Sequence, residues 1–259
     1  LNKDFRKDLD YEWAVFPPIP YTANNIDLEY SLVSPNSRHW LGTDEIGRDV
    51  LAGLIHGTRI SLSVGIVAVS IYVFIGVILG SLAGYYGGIT DIGISRLIEL
   101  MITFPTFFLI ITVIAFLPPS IFLIMLVIGI TGWPGIARFT RGEFLKIRNT
   151  EYIIAAQALG FSDWRTIFVH ILPNALAPVL VSAAFGIAGA ILTESALSFL
   201  GFGVPATTVS WGAILAHARA NTYAWWLAVF PGLSIFLTVT AFNLVGEGLR
   251  DSLDPRLKE

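Results

Sequence analysis

The chain has 259 residues, 54% of them hydrophobic and only 14% charged, with a net charge of −3 at pH 7 and no cysteine. An ordinary soluble domain has roughly 45–50% apolar residues, so this balance defines an integral membrane protein. The absence of cysteine excludes disulfides, thiolate metal sites and cysteine nucleophiles, and the mild negative charge gives no basis for nucleic-acid binding.

A helix needs about 20 mostly apolar residues to cross roughly 30 Å of hydrocarbon. Residues 1–59 contain no such run and form an N-terminal segment outside the lipid. Within it, Ile46, Val50, Leu51, Leu54 and Ile55 recur at helical spacing among Asp44, Glu45, Arg48 and Asp49, which predicts an amphipathic surface helix near 44–57. His39 and His56 stand too far from other ligating residues to suggest a metal site.

The first span is 60–83, free of charge. Gly76, Gly80, Gly84 and Gly88 follow at every fourth position, a row of small residues that lets a second helix backbone approach closely. Spans 100–117 and 121–137 form a hairpin around Pro118-Pro119, and 176–200 and 225–245 complete the set, the last opening on Trp225-Trp226 as an interfacial anchor. Pro105, Pro134 and Pro231 are expected to bend their helices. The expected fold is therefore an all-α bundle of five transmembrane helices, with a membrane domain at 60–248 and a tail at 249–259.

Basic residues orient such a bundle. Arg138, Arg141, Lys146, Arg148 and Arg165 crowd the 138–173 loop, and Arg250, Arg256 and Lys258 the tail, so both are expected in the cytoplasm. The loop from 201 to 224 has Arg219 alone and is expected outside. Residues 1–59 then lie outside as well, although they begin on Leu1 with the polar run "LNKDFRKDLDYEW". An upstream span is expected to carry them across, giving a parent protein with six spans and both termini in the cytoplasm.

The stretch "EYIIAAQALGFSDWRTIFVHILPN" at 151–174 is more than a connector requires. Glu151 to Leu159 has helix-forming composition, Gly160 supplies a stop, and Ser162 or Asp163 can cap a second helix that runs to Pro173. Ala155, Ala156 and Ala158 leave a low surface on the first helix, while Trp164, Ile167, Phe168 and Ile171 form an apolar stripe on the second. A structured amphipathic loop of this kind is expected to dock another protein. Glu194 is the one carboxylate well inside a span, on a face shared with Ser182, Gly186, Ala190 and Ser198. It is expected to meet a translocation path or a buried polar partner.

The run "AAQALGFSDWRTIFVHILPN" resembles the EAA loop of ABC importer permeases, with Ala155, Ala156, Gly160, Leu172 and Pro173 in the family's positions. Ile154 stands where the family has glutamate, and Glu151 lies three residues earlier. "GTDEIGRDVLAGLIHGTRISL", "LTESALSFLGFG" and "GEGLRDSLDPRL" are similar to the C-type permeases of dipeptide, oligopeptide and nickel importers. The resemblance implies a heterodimer with a related permease, two cytoplasmic ATPases docked on Glu151, Ala155, Ala156, Gly160, Ser162, Asp163, Trp164, Leu172 and Pro173, and an external solute-binding protein. It implies a cell-membrane location, no cofactor on this chain, and ATP with Mg on the ATPases, in keeping with the lack of a phosphate-loop motif here. The alternative is a stand-alone secondary transporter, for which one intramembrane carboxylate and no evident repeat speak weakly. An enzyme would need a catalytic constellation that the sequence does not offer.

Overall fold

The computed structural model describes residues 19–205 and 207–253; the expectations for residues 1–18 and the end of the tail lie outside the described residues. Among the described residues the regular structure is helical, apart from one bridge between Thr43 and Asp49. The helices are α1 (Val50–Tyr86), α2 (Gly88–Thr103), α3 (Thr106–Ala115), α4 (Ile121–Arg148), α5 (Glu151–Ala158), α6 (Asp163–Arg165), α7 (Leu172–Phe199), α8 (Trp211–Ala220) and α9 (Trp226–Leu253). Four helical stretches are long and apolar enough to cross a membrane, and α2 with α3 makes a fifth if that bent pair is one span.

The pair turns by 77° between Thr103 and Thr106. Pro105 explains the break: its ring disfavours the helical region for the residue before it, and Phe104 is extended at φ −90°, ψ 128°. The expected span at 100–117 is therefore two helical pieces.

α1 begins at Val50, which corrects the expected surface helix near 44–57. Asp49 is extended and accepts the Ala52 N–H at 2.8 Å, capping the helix. Before it, the Asp44 carboxylate accepts the N–H groups of Ile46 and Arg48 at 3.0 and 2.9 Å, and Gly47 turns at φ +76°. The Asp44 carboxylate and Gly47 thus build a turn in place of a helix. His39 braces the cap through Nδ1, 2.9 Å from Asp49 Oδ2.

α1 and α4 form the closest pair. A Cβ on Gly76 would lie 2.7 Å from Ile136 Cβ, on Gly80 2.5 Å from the Ala137 carbonyl oxygen, and on Gly84 2.5 Å from Phe144 Cβ. From the other side, a Cβ on Gly129 would meet Ile71 Cβ at 2.7 Å. Gly88 does not belong to this row: Gly87 ends α1, and a Cβ on Gly88 would meet no atom within 4 Å. The four-residue period continues past the helix that gives it meaning.

α4 runs eleven residues beyond the apolar stretch at 121–137, so 138–148 is helix and not loop. Thr140, Phe144 and Ile147 stay buried in this extension, and Arg148 caps α1 by donating to the Tyr85 carbonyl at 2.7 Å. Arg141 donates to Asp91 of α2 at 2.7 Å. These basic residues mark one end of the bundle, the basic end. α8 lies at the opposite end, where the Trp226 indole donates to the Thr43 carbonyl at 2.9 Å.

Candidate functional site

At the basic end the chain leaves α4, turns through α5 and re-enters the bundle in α7. Thr150 is extended ahead of α5. Leu159 closes the helix, and Gly160 follows at φ +76°, a left-handed conformation that a side chain disfavours. Ser162 then accepts the Arg165 N–H at 3.4 Å and starts α6. The second helix does not stop at Pro173. Residues Thr166–Ile171 widen into a π-helical turn in which the Leu172 N–H reaches Ile167, and α7 continues from there with proline in its first turn. The wider turn admits the proline ring where a regular α-helix would be crowded.

This helix-turn-helix is tied firmly to the bundle. Ile153, Ile167, Ile171 and Ala175 are buried with Tyr85, Phe144 and Ile147. The Tyr85 hydroxyl, at the end of α1, donates to Asp163 Oδ1 at 2.7 Å. Displacement of α5 or α6 must therefore be passed to α1, α4 and α7, since a packed apolar cluster does not shear freely.

The outward side is apolar in a set of positions that only partly matches the expected one. Leu159 is 76% exposed, Trp164 71% and Ile154 54%. Trp164 and Phe168 pack with ring centroids 3.9 Å apart and planes tilted by 39°, while Ile167 and Ile171, the other half of the expected stripe, face inward. Ala156 is also buried, which corrects the reading of 155, 156 and 158 as one low surface: on α5, Ile153 and Ala156 share the inner face and Ile154, Ala155 and Ala158 the outer. Glu151, Ser162, Asp163 and Pro173 are exposed, and Leu172 is half-buried.

At the opposite end Glu194 is fully buried and its partners belong to this chain. Ser198 and Ser210 each donate a hydroxyl to Oε1 at 2.8 Å. Ser210 also accepts the Ala213 N–H at 3.1 Å as the cap of α8, so the carboxylate holds that helix on α7. Trp211 completes the attachment, donating its indole N–H to the Leu54 carbonyl at 2.9 Å and its backbone N–H to Ser61 Oγ at 3.2 Å. Of the two roles expected for Glu194, this geometry supplies the polar contact. Nearby, His217 stands between Arg48 Nη2 at 3.1 Å and Glu45 Oε1 at 2.9 Å and links α8 to the segment before α1. Nothing in the spacing of residues 45, 48 and 217 announced that cluster.

A multi-pass helical membrane protein with an anchored helix-turn-helix between two of its spans is the class this architecture defines. Residues 76–259 match the family of binding-protein-dependent transport system inner membrane components, and the chain belongs to that family. It is 42% identical to the dipeptide transport system permease protein DppC of Alkalihalophilus pseudofirmus, over 95% of this chain and 82% of that one. It is 39% identical to the oligopeptide transport system permease protein OppC of Bacillus subtilis with the same coverage, and 42% identical to the glutathione transport system permease protein GsiD of Pectobacterium atrosepticum, again over 95% and 82%. Among solved structures, an amino acid ABC transporter chain shares the fold at a TM-score of 0.58 and 16% identity, covering 78% of this chain and 93% of that one. A chain of the MetNI methionine ABC transporter in an inward-facing form does so at 0.58 and 20%, covering 77% and 97%.

Proposed function

We propose that this chain is one of two related permease subunits in an ATP-driven importer of di- and oligopeptides, and that residues 151–173 couple it to a cytoplasmic ATPase. The chain forms one wall of the translocation path, an external binding protein delivers cargo to the end that carries α8, and the basic end with the C-terminal tail is cytoplasmic. ATP and Mg belong to the ATPases. The observation that carries the coupling role is the combination at α5 and α6: Ile154, Leu159 and Trp164 project outward while the same short helices are locked to α1 by the Tyr85–Asp163 hydrogen bond. An exposed apolar patch on a rigid element suits a docking contact that transmits force. Nucleotide-driven closure of the ATPases then moves α1, α4 and α7 together.

The test uses the assembled transporter. Leu159→Asp and Trp164→Asp place a charge on the outer patch without touching the buried cluster, so the permease pair is expected to assemble while ATPase copurification falls at least tenfold. Peptide-stimulated ATP hydrolysis is lost with it. Gly160→Val, strained at positive φ, is expected to keep partial docking and lose coupling. Wild-type copurification and hydrolysis in the two charged variants would sink the coupling role.

A further inference from the structure

A groove of about 470 Å³ runs between α3, α4 and α7 with Tyr72 of α1 at its base. Tyr72 lies at the centre of the charge-free stretch 60–83 and is only 8% exposed. Two glycines make room for it. A Cβ on Gly132 would come within 2.7 Å of the ring, and the hydroxyl occupies the place that a Cβ would take on Gly186. Tyr72 and Gly186 both line the groove, and the hydroxyl between them has no hydrogen-bond partner among the described residues. Phenylalanine would fill the same slot without the cost of leaving a hydroxyl unpaired, so the tyrosine calls for a partner beyond the described residues.

The rest of the lining is uncharged and mainly apolar, with Ile110, Ile136 and Phe139 among it, and hydroxyls are set into it at Thr131, Ser182 and Thr193. Thr131 and Thr193 donate to the carbonyls of Val127 and Gly189 on their own helices and keep lone pairs that can accept an N–H, and Gly189 has no atom within 4 Å of where its Cβ would be. Surfaces elsewhere on the spans are different: Phe122 is 77% exposed, Phe74 69% and Phe236 61%, the composition expected against lipid tails. From Ser182 to Thr193 the groove follows three turns of α7, roughly 16 Å at 1.5 Å per residue. An extended peptide of about five residues has that length at about 3.3 Å each. Its backbone offers an N–H and a C=O at every residue, whereas a lipid chain offers neither and a partner helix has its own backbone groups satisfied.

We propose that this groove is a cargo-contact site of the translocation path, with the Tyr72 hydroxyl as a hydrogen-bonding point for the peptide backbone. This rests on the peptide-importer reading above. Neutral hydroxyls and glycines recognise the backbone common to all peptides and leave side chains unread, so the site contributes passage and not selectivity. Glu194, sealed by serines, takes no part in it.

The chain has no cysteine, so Ser182→Cys and Phe74→Cys each introduce its only thiol. In the complete transporter in nanodiscs, a water-soluble maleimide is expected to label Ser182→Cys at least tenfold faster than the lipid-facing Phe74→Cys. Trialanine with binding protein and ATP is expected to slow that labelling. Tyr72→Phe, which keeps the shape, is expected to lower trialanine transport severalfold with ATPase copurification unchanged. Gly186→Ala, which displaces the hydroxyl, is expected to do the same. Labelling of Ser182→Cys no faster than of Phe74→Cys would show the groove covered by lipid or by the partner permease and overturn the proposal, as would wild-type transport by Tyr72→Phe. Either result with peptide-stimulated hydrolysis intact defeats the groove alone; loss of peptide stimulation in the unmutated complex defeats the importer reading itself.

Discussion

Replacing Gly80 with alanine sets two effects of known size against each other. Alanine is favoured over glycine inside a helix by about 1 kcal/mol, so propensity alone predicts stabilisation. At this position the new methyl carbon would lie 2.5 Å from the Ala137 carbonyl oxygen and 2.7 Å from Thr140 Cβ. Ordinary contact begins near 3.4 Å, so α1 and α4 would have to separate by about 0.9 Å. Neither obstacle is a flexible side-chain tip; one is backbone and the other a β-branched carbon, so the helices move as bodies and the neighbouring contacts at Gly76 and Gly84 loosen with them. Overpacking of a single methyl costs about 1–3 kcal/mol at one site, and three linked sites place the net effect at the upper end after propensity is subtracted, about 2 kcal/mol destabilising. Gly93 is the control. It lies inside α2 with no atom within 4 Å of its Cβ position, so Gly93→Ala should show the propensity gain alone. The assay is thermal unfolding in detergent, followed by tryptophan fluorescence and by size-exclusion recovery of the assembled complex. Gly80→Ala is expected to lower the midpoint and Gly93→Ala to hold or raise it. A gain in both would refute the reading of α1 against α4 as a backbone-to-backbone contact.

At Glu194, glutamine retains an acceptor for Ser198 and Ser210, whereas leucine leaves the Ser210 hydroxyl unpaired at about 1–3 kcal/mol; the leucine variant should lose α8 to protease first, and equal proteolysis of the two would exclude this attachment. Asp49→Ala removes the α1 cap and frees His39, with an expected loss of about 1–2 kcal/mol in the unfolding midpoint series, and an unchanged midpoint would place the start of α1 elsewhere. Tyr85→Phe deletes the hydroxyl that meets Asp163 while keeping the ring in its apolar cluster. ATPase subunits should remain bound while transport per ATP hydrolysed falls, and full coupling in that variant would show the hydrogen bond to be dispensable.

How much could be read before any coordinates depended on whether the signal was local. Apolar runs at 60–83, 121–137, 176–200 and 225–245 fall in long helices to within one residue, because hydrocarbon sets a length that a sequence must satisfy by itself. The turn at Gly160 and the cap at Ser162 were legible for the same reason: positive φ and an orphan N–H are problems solved within a few residues. The groups at Asp49, Tyr72 and Asp163 were not, because their partners His39, Gly186 and Tyr85 sit on other elements or on the far side of a turn.

The misassignments have different physical causes. In α5 the period has only eight residues to show itself, five of them isoleucine or alanine, too short and too uniform a run for an amphipathic face to stand out. Nothing in "EYIIAAQA" distinguishes Ala155 from Ala156 until Ile153 is seen in the cluster of Phe144 and Ile171 and Ala156 is seen buried three residues on, with Ala155 exposed. Gly88 continued a four-residue rhythm that has meaning only while the helix lasts, and α1 ends one residue earlier at the Gly87 cap. The sequence by itself determined that the chain is a helical membrane protein, where its apolar spans lie, and, through three motifs in order, which family it belongs to. Tertiary structure alone decided which glycines meet a backbone, that Glu194 is closed by serines, and that a tyrosine hydroxyl is left open to the groove, since each of these depends on what another segment brings within 3 or 4 Å.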